Sequence, residues 1–296
     1  MDTVLLVGIG SFHARFVAEN QRHFPGLRWV WTHAPASVWD EENQRAKENE
    51  LYLQGLGMTN FDPNRDSYRL LGILVLTGDG RLRAEEYKQW SSFGCPIYLD
   101  KPVCTQLEEL EQLKQLAKCL SVPWATGSSM RFFKGWTEFV ESHRTGMDRI
   151  QLWAPWPVRS GRAGWCWYGV HALELLAQAV GGGSLRSVRV NQAGDDRFLE
   201  AECADGRIAE VRSTQSFSEL RARVHCGETI VEQTFVADGV VLYRGLLEAI
   251  LSFFRTGKLW YSADELKRTA NLLHHGWRSQ QASGMKQVMI KDSDIG

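Results

Sequence analysis

The chemistry open to this chain is first legible in a glycine turn. Val4-Leu5-Leu6-Val7 is a continuous apolar run, β-branched at both ends, and reads as a strand buried on both faces. Gly8-Ile9-Gly10 follows at once, and Ser11 then carries a side chain suited to a helix N-cap. Phe12, Phe16 and Val17 recur at helical spacing. A strand, a G-x-G turn and a helix start are the setting in which this motif binds a dinucleotide. Gly8 would permit the tight turn, Gly10 would let backbone approach a pyrophosphate, and the N–H groups of the helix start would meet its charge. His13 stands where G-x-G-x-x-G places its third glycine. An ordinary βα turn can carry the same glycines, so the motif alone leaves both readings open.

Proton chemistry has a candidate in His171, because imidazole changes charge near neutral pH. On a helix, Trp167 lies one turn before it and Glu174 one turn after, so Glu174 is within reach to orient the ring. The alternative is a packed core histidine, and neighbouring Tyr168 reads first as packing. His13 either touches phosphates or fills the space of the absent glycine; Arg131 either binds substrate oxygens or closes an ion pair at a domain interface. His274-His275 precede Gly276 near a helix end, where cations suit the dipole. No group of histidines and carboxylates has metal-ligand spacing.

The net charge of −1 gives no electrostatic argument for nucleic acid or an anionic membrane. No apolar run approaches the ~20 residues of a membrane span. The chain starts directly on a strand, which predicts no signal peptide. Its six cysteines, Cys95, Cys104, Cys119, Cys166, Cys203 and Cys226, form no C-x-x-C pair and read as reduced thiols of a cytoplasmic protein. The 12 tryptophans can build cores, a sugar-stacking pocket or an oligomer interface; Trp153, Trp156, Trp165 and Trp167 gather near His171.

A length of 296 residues predicts about two domains. In the first half, apolar strands at Leu27–Thr32, Leu70–Thr77, Pro96–Leu99 and Pro123–Gly127 alternate with helices at 38–53, 84–93 and 106–120. That alternation predicts a doubly wound parallel sheet, with ligands at the carboxyl ends of its strands. Gly8, Thr32, Thr77 and Lys101 all fall at such ends. The second strand ends in Thr32-His33-Ala34, without the acid that would hold a ribose 2′-hydroxyl and without an adjacent Arg or Lys for a 2′-phosphate. Asp40-Glu41-Glu42 reads as the first turn of the next helix. The second half starts with a strand at Arg149–Trp153 and a helix within 164–180, stopped by Gly181-Gly182-Gly183. Five β-rich segments then fall at 187–191, 198–204, 208–215, 220–226 and 230–235, with Asp205-Gly206 as a hairpin turn. Short turns predict a large open antiparallel or mixed sheet; helices near 243–255 and 264–282 finish this domain.

Asp100-Lys101-Pro102, at a strand end downstream of a G-x-G turn, resembles the Gfo/Idh/MocA oxidoreductase family, which usually has Glu-Lys-Pro there. Gly127-Ser128-Ser129-Met130-Arg131-Phe132 is similar to the family's passage into its second domain. Tyr168-Gly169-Val170-His171-Ala172-Leu173-Glu174 is similar to its Asp-x-Gly-x-His-x-x-Asp helix, and Leu246–Gly257 with Ser262-Ala263-Asp264 to its C-terminal helical passage. The likenesses run in order along nearly the whole chain.

The resemblance implies a Rossmann-type dinucleotide-binding domain over 1–124 and a substrate-binding, oligomerising α+β domain over 125–296. It implies an NAD(P)-dependent oxidoreductase moving hydride between nicotinamide and a secondary alcohol or ketone of a sugar or cyclitol derivative. Lys101 would stand between nicotinamide and substrate, where a cation stabilises a developing alkoxide; its other reading is a lysine paired with Asp100. The implied catalytic set is Lys101, His171 and Tyr168. The cofactor set is Gly8, Gly10, Ser11, Phe12, His13, Thr32, His33, Thr77 and Lys101, with NADP ahead of NAD because the ribose acid is absent. Lys101, Arg131, Trp167 and His171 would meet a small-molecule substrate, and the C-terminal sheet would pair copies into a dimer or tetramer. Trp167 replaces the family's aspartate and cannot exchange a proton. That keeps two alternatives open: a non-catalytic nucleotide- or ligand-binding regulatory member, and a reductase of a flat conjugated substrate.

Overall fold

The computed structural model describes residues 1–35, 37, 39–66, 70–157, 166–181, 184–193, 196–281 and 287–290. These form two compact units, the first made of Met1–Cys104, Glu108–Gly127 and Tyr243–Trp260 and the second of the remainder.

The first unit is a six-stranded sheet of β1 (Asp2–Val7), β2 (Leu27–Thr32), β3 (Thr59–Asn60), β4 (Leu70–Val75), β5 (Ile97–Leu99) and β6 (Trp124–Ala125). The strand order is β3-β2-β1-β4-β5-β6 and every pairing is parallel. This is the doubly wound dinucleotide-fold order, whose direction of winding reverses between β1 and β4. The apolar runs supply its centre: Val4, Leu5, Leu6, Val30, Ile73, Val75, Ile97 and Leu99 are buried. Val7 is level with both Thr32 and Val75, so three strands end together and their following loops open onto one edge. The connecting helices are α1 (Phe12–Asn20), α2 (Asp40–Gly55), the single turn α3 (Pro63–Asp66), α4 (Arg83–Trp90) and α5 (Leu107–Leu120). α2 opens with Asp40, Glu41 and Glu42, as its acidic first turn predicts.

The second unit contains α6 (Trp136–His143), β7 (Arg149–Pro155), α7 (Cys166–Val180), β8 (Leu185–Ala193), β9 (Asp196–Cys203), β10 (Ile208–Thr214), β11 (Glu219–Cys226) and β12 (Thr229–Val236). After α8 (Gly239–Thr256) follow α9 (Ala263–Gln281) and β13 (Val288–Met289). Its seven-stranded sheet has the order β12-β11-β7-β10-β9-β8-β13. β7 and β10 pair in parallel and the other pairings are antiparallel, so the sheet is mixed. Strict alternation of burial along β9 shows one face packed, and that face joins α7 and α9 in a single apolar core. On the other face a cross-strand row runs Glu232, Arg223, Gln151, Glu210, Glu200, Arg189.

The division differs from the sequence boundaries at 105–107, which lie in the second unit, and at 125–127 and 243–260, which lie in the first. Residues 243–260, which include most of α8, belong to the first unit, whereas the sequence reading put this helix in the second domain. The packing explains it. Tyr243 stacks on Phe16 with ring centroids 5.0 Å apart, and a Cβ on Gly72 of β4 would collide with the ring of Phe254. α8 therefore lies against β4 at a position that only glycine leaves open.

Candidate active site

The level ends of β1, β2 and β4 frame a cleft of about 450 Å3. Gly8, Gly10, Ser11, His33 and Thr77 line it, as the strand-end reading predicts. Gly8 has φ +80°, and a Cβ there would stand 2.6 Å from Thr77 Cγ2, so both the turn and the contact with the end of β4 need glycine. Ser11 precedes α1 in extended backbone, yet its hydroxyl makes no capping bond. Ser11 Oγ is buried without a hydrogen-bond partner at the N-terminus of that helix, beside the cleft. A buried polar atom without a partner, next to the free N–H groups of a helix start, is suited to an anion.

Gly10 works differently from the expectation. A Cβ on it would sit 2.7 Å from the carbonyl oxygen of Glu42, so its bareness admits the first turn of α2 rather than a pyrophosphate alone. α2 then ties the turn down. Asn49 Nδ2 donates to the carbonyls of Ile9 (2.6 Å) and Ser11 (3.1 Å), and Arg45 Nη1 donates to that of Gly10 (3.0 Å). Arg45 and Asn49 are one turn apart on a polar helix, and nothing in the sequence marks them except that spacing. Phe12 is not among the lining residues: it is 49% exposed, with the Arg45 guanidinium 4.0 Å above its ring. Thr32 ends β2 just short of the cleft, and His33 pairs with Glu50 at 3.2 Å.

Sequence reasoning missed the acids of this cleft. Glu42 accepts from Ser37 Oγ at 2.7 Å. Glu86 is bonded by Thr77 Oγ1 and by Arg83 Nη1 (2.6 Å), and Arg83 also donates to the Thr77 carbonyl (2.7 Å) and the Asp100 carbonyl (2.9 Å). Arg83 is thereby a buried brace between the ends of β4 and β5, two strands of one edge.

His13 does not face the cleft as a phosphate contact. Its Nδ1 pairs with Asp100 Oδ2, and its ring lies 5.0 Å from that of Tyr243. Burial opposes the charge on Asp100. The His13 charge and hydrogen bond, with Lys101 and Arg83 behind them, outweigh burial and hold the carboxyl below its ordinary range. Tyr243 is pushed well up by its own burial and by Asp100 and Tyr98. Lys101, 4% exposed, follows Asp100 at the carboxyl end of β5, and the Asp100 N–H donates to the Val75 carbonyl at 2.9 Å. Asp100 thus pairs directly with His13, while Lys101 acts on it through charge.

In the second unit, His171 is buried on α7. Its Nδ1 is bonded to Ser128 Oγ at 2.6 Å, and Glu174 accepts from the Ser128 N–H at 2.7 Å. Glu174 therefore fixes the residue that holds the ring, and Ser128, fully buried, is the link the sequence reading overlooked. Ser128 Oγ also accepts from the Met130 N–H at 3.1 Å, which fixes the hydroxyl beside the ring. Phe217, 42% exposed, packs on Tyr168 (5.0 Å) and edge-on to His171 (6.4 Å). Arg131 takes its ion-pair reading within this unit: it pairs with Glu265, and its Nε is 3.7 Å from Glu174. Trp167 is half-buried on the same helix; Trp165 lies outside the described residues. Among the described residues no group of three or more His, Cys, Asp or Glu could hold a metal ion, and no helix is long and apolar enough to cross a membrane.

No family model matches the sequence, and no curated protein matches it. Solved structures do match the fold. GenD2 from gentamicin A biosynthesis, determined in complex with NAD, superposes with a TM-score of 0.75 at 14% identity, covering 98% of this chain and 96% of that one. A myo-inositol dehydrogenase from Corynebacterium glutamicum gives 0.68 at 15% identity, over 98% and 99% of the two chains. The WlbA dehydrogenase of Bordetella pertussis, in complex with NADH and UDP-GlcNAcA, gives 0.70 at 14%, over 98% of each. This chain has their fold. The match is end to end, so the mixed seven-stranded sheet is part of the shared architecture as well as the parallel one.

Proposed function

We propose that this chain is an oxidoreductase moving hydride between a nicotinamide cofactor and a secondary alcohol or ketone of a sugar or cyclitol derivative. The observation that carries the reading is the 450 Å3 cleft at the winding reversal of the β3-β2-β1-β4-β5-β6 sheet, with Gly8 and the unpartnered Ser11 Oγ on its wall. The substrate class rests on the likeness to an inositol dehydrogenase and to WlbA with UDP-GlcNAcA.

The residues present fit a dinucleotide. Gly8, Gly10, Ser11, His33 and Thr77 would hold it, with the N–H groups of α1 on its phosphates and Phe12 and Thr32 bordering them. NADP is assigned ahead of NAD: no acid ends β2, and Lys47 lines the same cleft as His33. The bound nicotinamide would supply or accept the hydride. Lys101 would hydrogen-bond the reacting hydroxyl and stabilise the alkoxide that develops as its proton leaves. His171, with Nδ1 held by Ser128, would take or return that proton at Nε2, with Tyr168 and Trp167 against the substrate. His13 acts through Asp100 on the setting of Lys101. The same reading places the protein in the cytoplasm as a homo-oligomer, paired through the outer face of the seven-stranded sheet.

Trp167 favours a second reading, a regulatory member that binds nucleotide without turnover. Titration of the tryptophan fluorescence with NADPH and NADH separates the two. Micromolar binding of one nucleotide, with turnover on a polyol panel that falls about 100-fold or more in Lys101→Ala, supports the enzyme. Binding without turnover supports the regulator, and binding of neither nucleotide refutes both.

A further inference from the structure

A bare sheet edge offers unpaired N–H and C=O groups to any other strand. Three of the edges in this protein are closed by strands of two residues: β3 and β6 on the parallel sheet and β13 on the mixed one. The remaining edge is β12, eight residues long, with β11 on one side and no strand on the other among the described residues. Its register with β11 runs unbroken from Thr229 to Val236, so no bulge turns the edge away. β12 also lacks proline and lysine, the residues that usually blunt an edge. Glu232 is its one charged residue, and Arg223 of β11 pairs with it at 2.6 Å.

The ladder fixes which backbone groups are open. The Ala237 N–H donates to the Ser218 carbonyl at 3.0 Å, in the same register as the strand pair. Bonded residues alternate along an antiparallel strand, so Val231, Gln233 and Phe235 bond to β11, and Ile230, Glu232, Thr234 and Val236 turn their N–H and C=O outward. The side chains of those four share the outer face of the sheet, where Ile230 and Val236 are 59% and 72% exposed. Val231 and Phe235 lie on the inner face, against the apolar core.

We propose that β12 pairs edge to edge and antiparallel with β12 of a second copy of this chain, about a two-fold axis at Gln233. Such an axis makes the contact self-complementary. Centred on Gln233, Ile230 faces the second copy's Val236, and Glu232 faces its Thr234. Both pairs, and their symmetry mates, join outward residues to outward residues, so the edge closes with about eight backbone hydrogen bonds. The two exposed apolar side chains cover each other, and the Gln233 amides meet on the axis, where each can donate to the other. Neighbouring registers fit worse. Centring on Glu232 sets two carboxylates directly opposite, which is destabilising. Centring on Thr234 sets Ile230 against Asp238, past the end of the strand. An axis between two residues sets outward groups against inward ones and forms no ladder. This edge is a different surface from the outer face of the sheet and shares no residue with the nucleotide cleft, so the inference stands whether or not the oxidoreductase reading holds.

The test uses the full chain. Sedimentation equilibrium should show a monomer–dimer equilibrium, and amide exchange at Ile230, Glu232, Thr234 and Val236 should slow as the concentration rises. Thr234→Pro removes an outward N–H at an edge position that tolerates proline, and should weaken the dimer about tenfold or more. Two cysteine variants read the register, each made in Cys119→Ser to remove an exposed thiol and oxidised with copper-phenanthroline. Gln233→Cys meets its twin as a non-hydrogen-bonded pair, with Cα atoms about 4.5 Å apart, and should form a covalent dimer. Glu232→Cys lies diagonally from its twin, about 7–8 Å away, and should cross-link at least tenfold more slowly. A monomer at every concentration, a dimer that folded Thr234→Pro leaves unchanged, or Glu232→Cys cross-linking as fast as Gln233→Cys overturns the proposal. Should Thr234→Pro fail to fold, the cysteine pair decides.

Discussion

Replacing His13 with alanine tests the reasoning about the turn most directly. The perturbation strips Asp100 of its ion-pair partner while leaving the carboxylate buried, with 4% of its side chain exposed. Breaking a buried pair from one side costs about 3–5 kcal/mol, because the remaining charge is uncompensated. Two features move His13→Ala to the lower end of that range. His13 keeps 17% of its side chain exposed, and Lys101 and Arg83 still act on Asp100. The expected loss is therefore about 3 kcal/mol in urea unfolding of the full chain. Asp100→Asn in the His13→Ala background is expected to recover part of the loss, because the uncompensated charge goes with it. The double-mutant cycle should then show a coupling of about 1–3 kcal/mol. A loss below about 1 kcal/mol for His13→Ala, or additive effects in the cycle, would refute the assignment of His13 as the partner that keeps Asp100 charged.

Other outcomes follow from the same contacts. Gly72→Ala drives a Cβ into the Phe254 ring, so it should destabilise by about 1–3 kcal/mol, whereas Gly26→Ala, which meets nothing within 4 Å, should show only the milder cost of its positive φ. Ser128→Ala removes the hydroxyl bonded to His171 Nδ1, so side-chain 15N NMR should show the Nδ1 resonance of His171 shift, and an unchanged Nδ1 resonance would contradict the contact. Asp66 is held at about 2, chiefly by its hydrogen bond from Arg65, with burial opposing and Arg28 adding. A carboxyl lowered on folding contributes stability that is complete above its unfolded value of about 3.9 and is lost as pH falls through the folded one. Acid unfolding should therefore steepen between about pH 4 and 2, and Asp66→Asn should flatten that limb.

The sequence carried the frame of this protein because the frame obeys short-range rules. Val4–Val7 and Leu70–Val75 are continuous apolar runs, and only a strand buried on both faces uses such a run. The place of the cleft followed too, because strands of parallel sheets end level, so Gly8, His33 and Thr77 meet although they are far apart in the chain. What stayed hidden depends on contacts that have no local signature. α8 is amphipathic and fits either unit by pattern alone; the bare Gly72 facing Phe254 decides the matter, and an isolated strand glycine does not name its partner. Ser128 and Glu174 are 46 residues apart, and a serine N–H that needs a carboxylate looks like any other serine. Arg45 and Asn49 clamp the glycine turn through its carbonyls, which every residue possesses.

The two departures that most weaken the motif comparison are one change in space. The family resembled has glycine where this chain has His13, and Glu-Lys-Pro where it has Asp100-Lys101-Pro102. In the structure those positions touch: His13 Nδ1 meets Asp100 Oδ2. The pair keeps a carboxylate next to Lys101 and supplies it with a hydrogen-bond partner that glycine cannot. The loss of the third glycine is thus a rebuilt wall around the lysine more than a damaged nucleotide turn. The turn itself keeps the feature it depends on, the positive φ of Gly8 against Thr77. At His171 the bond to Nδ1 comes from Ser128, which offers a hydrogen bond but no charge. Under the proposed function, that difference predicts a slower proton transfer at His171 with nucleotide binding little affected.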